Sequence, residues 1–288
     1  MKHILFSLIF ISLGISSKGQ TVIEKIALNA CECIENMTVS KADSCITSSM
    51  AKVIIANRGS EETKFIGTVE GMQQAIKDSY QLVQDNCESF RTQIINVRKE
   101  NFYKLSEIKE ANNYYEKGNQ KLQNDAFKAA IKDYKKALKL DQNFIFALDN
   151  IAVCYRNMES FDKAIEYYKK SLDIFPEGNF ALQNIAVVYG FKGDSKSAIE
   201  YYNRLINLYP NDPEGYFGLA KESLIIGDLE FATETALIAY IIYKNNQSEH
   251  LADGEKLLGL IYGKLKEIKQ TDLFHQKAKE LNIEIEID

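Results

Sequence analysis

AIEYYKKSLDIFP occupies residues 164–176, and AIEYYNRLINLYP occupies residues 198–210. The two stretches lie 34 residues apart and agree at their apolar positions. A wider comparison aligns FKAAIKDYKKALKLDQN (127–143), FDKAIEYYKKSLDIFPE (161–177) and SKSAIEYYNRLINLYPN (195–211). Ala130, Ala164, Ala198 and Ala232 recur at this interval, and so do Gly118, Ala152, Ala186 and Ala220. Tyr134, Tyr168 and Tyr202 follow the first three alanines by four residues. A constant interval of this length marks a stacked repeat, in which each unit buries its apolar face on the next. A plain helical bundle has no need of it.

Within each unit, apolar residues return three and four apart, the pattern of one helix face. In the third unit one helical stretch runs from Phe180 to about Phe191. Lys192-Gly193-Asp194 breaks it, and a second runs from about Ser195 to Leu208. Tyr209-Pro210-Asn211-Asp212 closes the unit, because proline disfavours helix at the residue before it. The recurring small residues belong where two helices cross closely. This pattern resembles the tetratricopeptide repeat family over 111–144, 145–178, 179–212 and 213–246. The carrying residues are Gly118/Ala130/Ala137, Tyr155/Ala164/Pro176, Tyr189/Ala198/Pro210 and Ala220/Ala232/Ala239. Gly259, Tyr262 and Ala278 suggest a fifth, degenerate unit after a short insertion, with Thr271 where an alanine is expected. Residues 247–288 are read as this unit and a C-terminal cap.

The resemblance implies an all-α solenoid whose first helices line a concave surface that binds a protein or peptide. Residues four apart share a helix face. The expected groove therefore carries Tyr115, Asn119, Phe146, Asn150, Phe180, Asn184, Val187, Phe217 and Lys221, with Val153 and Leu224 continuing it. Family members that grip the acidic tails of cytosolic chaperones use lysine and arginine here. The matching positions are Tyr115, Phe180 and Asn184, so that clamp is not expected. Asparagine offers a donor and an acceptor to an extended backbone. The same asparagines could instead join neighbouring helices, or the N-terminal segment could fill the groove.

Residues 20–108 lack the repeat but read as helical: 22–37, then 40–56, then a long stretch from about Glu62 to Val97. Ser40 is a suitable helix cap, and Asn57-Arg58-Gly59-Ser60 a suitable stop. Cys31, Cys33, Cys45 and Cys87 lie here, an even number that suggests two disulfides in an exported chain. A hairpin turning near Val39 would set Cys33 opposite Cys45. Cys31, pointing about 200° away from Cys33 on the helix, is then left for Cys87. A zinc site is the alternative, but histidines are absent nearby. Cys154 falls on a helix-crossing face and reads as an inert thiol.

Residues 1–19 read as a signal peptide: Lys2 and His3, the apolar run ILFSLIFISLGI (4–15), then small residues, with cleavage before Gln20. The run is short for a permanent span. Leu28-Asn29-Ala30-Cys31 looks like a bacterial lipobox, but charged residues separate it from the apolar run, so lipid anchoring at Cys31 is not expected. The expected location is periplasmic or secreted, in a bacterium.

The 288 residues are 45% apolar and 26% charged, with 3 Pro, the balance of a folded soluble protein. The formal net charge of −5 argues against a nucleic-acid partner. Phosphate-binding, nucleophile-elbow and zinc-protease motifs are missing, and no cofactor or metal is expected. The sequence is thus expected to encode a tetratricopeptide-repeat α-solenoid (109–246) preceded by a small disulfide-stapled helical segment (20–108), acting as a non-catalytic interaction scaffold. An accessory or carbohydrate-active enzyme with a carboxylate pair is the alternative, and a self-assembling envelope component is a third reading.

Overall fold

A computed structural model describes residues 21–35 and 41–285. Among these residues the regular structure is helical and no strand occurs. The chain divides into two compact units between Ile94 and Ile95. The expected signal peptide, the Ser40 cap and the turn near Val39 lie outside the described residues.

The first unit contains α1 (Val22–Glu35), α2 (Ala42–Ala56), α3 (Glu61–Ile66), α4 (Val69–Asn86) and the start of α5 (Glu88–Phe102). Helix α1 packs against both α2 and α4. Ile26, Ala30 and Ile34 are fully buried, and Ile34 shares a core with Ile46, Val83 and Phe90. The stretch from Glu62 to Val97 is three helices, where the sequence suggested one. Thr68 caps α4 by accepting from the Gly71 amide at 3.0 Å. A Cβ on Gly71 would lie 1.9 Å from the Phe65 carbonyl oxygen, so the chain folds sharply back on itself there. The second break is Cys87, whose extended backbone ends α4.

Cys87 is disulfide-bonded to Cys31, and Cys33 to Cys45, as the hairpin geometry implied. The two bridges fix α1 from opposite sides. Such bridges persist in oxidising compartments and point to an extracytoplasmic location. No described helix is long and apolar enough to cross a membrane.

The second unit is a stack of helical hairpins: α6 (Lys109–Gln123) with α7 (Phe127–Leu140), α8 (Ile145–Asn157) with α9 (Phe161–Ile174), α10 (Asn179–Phe191) with α11 (Ser195–Leu208), and α12 (Pro213–Ile226) with α13 (Leu229–Asn245). Each second helix packs on the first helix of the next hairpin. A fifth pair, α14 (Leu251–Glu267) and α15 (Thr271–Glu280), continues the stack.

The turn inside each hairpin has one recurring feature. Asp125, Glu159, Gly193 and Gly227, spaced by the repeat interval, all have positive φ. After each, an amide reaches back five residues: Ala126 to Lys121 O, Ser160 to Tyr155 O, Asp194 to Tyr189 O and Asp228 to Ser223 O, at 2.9–3.0 Å. This left-handed cap satisfies carbonyls that the helix end leaves open. Lys269 plays the same part between α14 and α15, where Gln270 donates to Leu265 O at 2.8 Å.

Packing explains the small residues. Ala130, Ala164, Ala198 and Ala232 are fully buried. Tyr134 and Tyr168 are also fully buried, and Tyr202 nearly so. A Cβ on Gly118 would sit 2.4 Å from the Tyr134 ring, and one on Gly218 would sit 2.1 Å from that of Tyr202. The fifth hairpin departs from the sequence reading. Counted from its turn at Lys269, the alanine position is Phe274, fully buried, rather than Thr271. Gly259 faces open space instead of a crossing. Tyr262 meets the Phe274 ring edge-on at 5.3 Å, so this last contact is made by aromatics.

The end of α5 belongs with the repeats: Ile95 is buried against Ile145 and Phe175. Cys154 is a buried free thiol, and burial pushes its pKa up to about 12.

Two stability outcomes follow. Glu159→Gly relieves a left-handed non-glycine residue and should raise urea stability by about 0.5–1 kcal/mol, whereas Gly193→Val should lower it by at least about 1 kcal/mol. In calorimetry of the full chain, Cys33→Ser/Cys45→Ser should cost the first unit about 3 kcal/mol and Cys31→Ser/Cys87→Ser about 4 kcal/mol, because the second bridge closes the longer loop.

Candidate functional site

The first helices of successive hairpins, α6, α8, α10 and α12, lie side by side and present the expected groove residues. Polar side chains tie each neighbouring pair. Between α6 and α8, Asn150 Nδ2 donates to Asn119 Oδ1 at 3.0 Å, and the Tyr134 hydroxyl donates to the same oxygen at 2.8 Å. The Tyr115 and Tyr134 hydroxyls each lie 3.3 Å from Asn150 Nδ2. Between α8 and α10, Arg156 donates to Asn184 Oδ1, while Asn184 Nδ2 donates to the Phe180 carbonyl at 2.8 Å. Between α10 and α12, Gln183 donates to Glu214 at 3.0 Å, and the Tyr243 hydroxyl donates to the other Glu214 oxygen at 2.7 Å.

The asparagines therefore join neighbouring helices, one of the two roles their positions allowed. Asn119 also bonds the Tyr115 hydroxyl, so both amides belong to one network with Tyr115 and Tyr134. Around them, Tyr115 rests on Phe144 and Phe146 at ring distances of 5.0 and 6.1 Å. Further along, Phe180 is 37% exposed, Val187 and Phe217 are half-buried, and Lys221 is exposed with its ammonium 5.7 Å from the Phe217 ring.

The sequence did not single out the residues at the start of this face. Tyr103, just past α5, packs edge-on against Phe146 at 4.9 Å and donates its hydroxyl to Asp149. Phe102 stacks on Phe175 at 6.1 Å, and Arg98 pairs with Glu177 at 2.5 Å. Part of the face on α8 is thus covered by the chain itself. Asp149 is 2% exposed. Burial pushes its carboxyl up to about 6, against the lowering effect of the Tyr103 and Ser171 hydroxyls. Burial, reinforced by the neighbouring carboxylate, raises Tyr103 far above the usual tyrosine range, so it stays a donor.

Residues 144–211 match the sequence profile of the tetratricopeptide repeat, and residues 111–144 match a second profile of the same repeat. Residues 111–211 carry tetratricopeptide repeats. Among solved structures, MamA residues 41 to the end from Desulfovibrio magneticus RS-1 superposes with a TM-score of 0.51 at 17% identity, covering 62% of this chain and 97% of that one. The ArsTM double mutant of RS-1 MamA gives 0.51 at 16% identity, over 62% and 97%. YrrB, described as a tetratricopeptide-repeat protein with an unusual peptide-binding site, gives 0.46 at 20% identity, over 66% and 93%. At these identities the likeness concerns the fold. No curated protein matches the chain in sequence.

Among the described residues, no group of three or more His, Cys, Asp and Glu is placed to hold a metal ion. The tetratricopeptide face is instead a wall of aromatic and amide side chains, suited to hydrogen bonding and apolar contact.

The Asp149 carboxyl titrates near 6 when folded and at about 4 when unfolded, so it favours folding below about pH 4 and loses that contribution as pH rises through 6. Asp149→Asn should flatten this decline by roughly 2–3 kcal/mol in urea titrations at pH 4, 5, 6 and 7. A smaller slope should remain from Asp212, which burial also raises.

Proposed function

We propose that this protein is a non-catalytic scaffold outside the cytoplasm, and that the first-helix face of its repeats holds an extended segment of a partner protein. The observation that carries the reading is the accessible run of side chains on α10 and α12, where Phe180 is 37% exposed, Val187 and Phe217 are half-buried, and exposed Lys221 lies beside the Phe217 ring. These residues extend the surface away from the end covered by Tyr103. Aromatic residues in such positions supply apolar anchorage to a bound chain. Two disulfides support the location, since they are rare in reducing cytoplasm.

Photo-crosslinking in cells tests this. A photoreactive residue at position 187 or 221 should give a protein adduct, and one at position 196, on the exposed side of α11, should not. Equal labelling from all three positions, or labelling only from 196, would reject the groove.

A further inference from the structure

Helix α7 carries five lysines and one acid. Lys128, Lys132, Lys135 and Lys139 follow one another at four, three and four residues, so they form a single row along the helix, and all four are exposed. The acid, Asp133, is buried and held by Lys121 and by Lys136, the latter at 3.2 Å. No acidic side chain pairs with Lys128, Lys132 or Lys139 among the described residues.

Half-buried tyrosines flank this row on both sides. The Lys136 ammonium lies 5.1 Å from the Tyr114 ring, and that of Lys135 lies 5.8 Å from the Tyr167 ring. Lys163 and Lys170 extend the positive surface onto α9, over Tyr155 and Tyr167 at 5.4 and 4.6 Å. Glu166, paired with Lys170, is the acid they meet. A chain of net charge −5 thus turns one strongly positive face outward.

We propose that the α7 face is a docking surface for an anionic lipid bilayer. Charge complementarity gives the sign of the partner, and the residue types choose among anionic partners. The row is entirely lysine, a flexible point charge, with no arginine fork to grip a particular carboxylate or phosphate. A plane of anionic headgroups attracts such charges without needing their geometry fixed. Tyrosine, apolar along its ring and polar at its tip, is the side chain that settles at the level of headgroups. A straight row on one helix meets a plane more readily than the curved surface of a globular partner. This face is separate from the peptide-binding face, so a scaffold could hold both at once.

The test is flotation of the full chain with phosphatidylcholine vesicles, with and without about a third phosphatidylglycerol, at low and high salt. The neutral vesicles measure any binding through the apolar run at 4–15. Anionic vesicles should capture at least about tenfold more protein, and high salt should abolish the excess. Lys128→Gln/Lys132→Gln/Lys139→Gln removes unpaired, exposed lysines and should lose the excess while keeping its urea midpoint. Lys52→Gln/Lys77→Gln/Lys279→Gln, an equal charge change elsewhere, should keep it. The proposal is overturned if anionic and neutral vesicles capture alike, if the α7 variant floats as well as the unaltered chain, or if soluble polyglutamate at matched charge binds as tightly as the vesicles.

Discussion

Close approach of two helices at a residue with little or no side chain is the constraint on which the second unit rests. Gly118 meets Tyr134 so closely that a single added carbon would collide with the ring. The tyrosine, in turn, reaches through to the next hairpin, where its hydroxyl meets Asn150. Tyr202 makes the corresponding reach toward Gly218. The first three hairpins therefore each pair a small residue, Gly118, Ala152 or Ala186, with a large buried one, Tyr134, Tyr168 or Tyr202. Interiors packed at this density tolerate neither a swollen crossing nor an empty one.

The polar ties obey the same geometry. Asn119 and Asn150 are separated by 31 residues, as are Gln183 and Glu214, while Arg156 and Asn184 are separated by 28. These are one repeat less one or two helical turns, the offset at which adjacent first helices face each other. The bridges satisfy buried and half-buried amides and fix the register between hairpins.

Much of this could be read from the residues. The alanine and tyrosine series gave the hairpins, their boundaries and the interval, because periodic burial leaves a periodic trace. The disulfides were legible because Cys33 faces Cys45 across the expected hairpin while Cys31, about 200° round the helix, points away from it toward another partner. Three things left no such trace. Thr68 and Gly71 interrupt a segment whose apolar pattern continues across the break. Phe274 and Tyr262 restore a packed contact in the last hairpin with the bulk placed differently. Tyr103 and Asp149 are joined across 46 residues by a contact that depends on where α5 ends, which no local pattern encodes. The asparagines of the first-helix face were found by spacing, but Arg156, which bonds Asn184, and the Gln183–Glu214 pair needed the inter-hairpin offset.

Cys154 sets a demand on how the molecule matures. An odd thiol in a chain that forms two bridges is a hazard while it is accessible, since mixed pairings arise by thiolate exchange. Once the second hairpin closes, the sulfur is sealed in and its proton is held firmly. The yield of correctly bridged protein then becomes a race between oxidant and the collapse of α8 onto α9, and any lesion that delays that collapse would surface first as scrambled dimers.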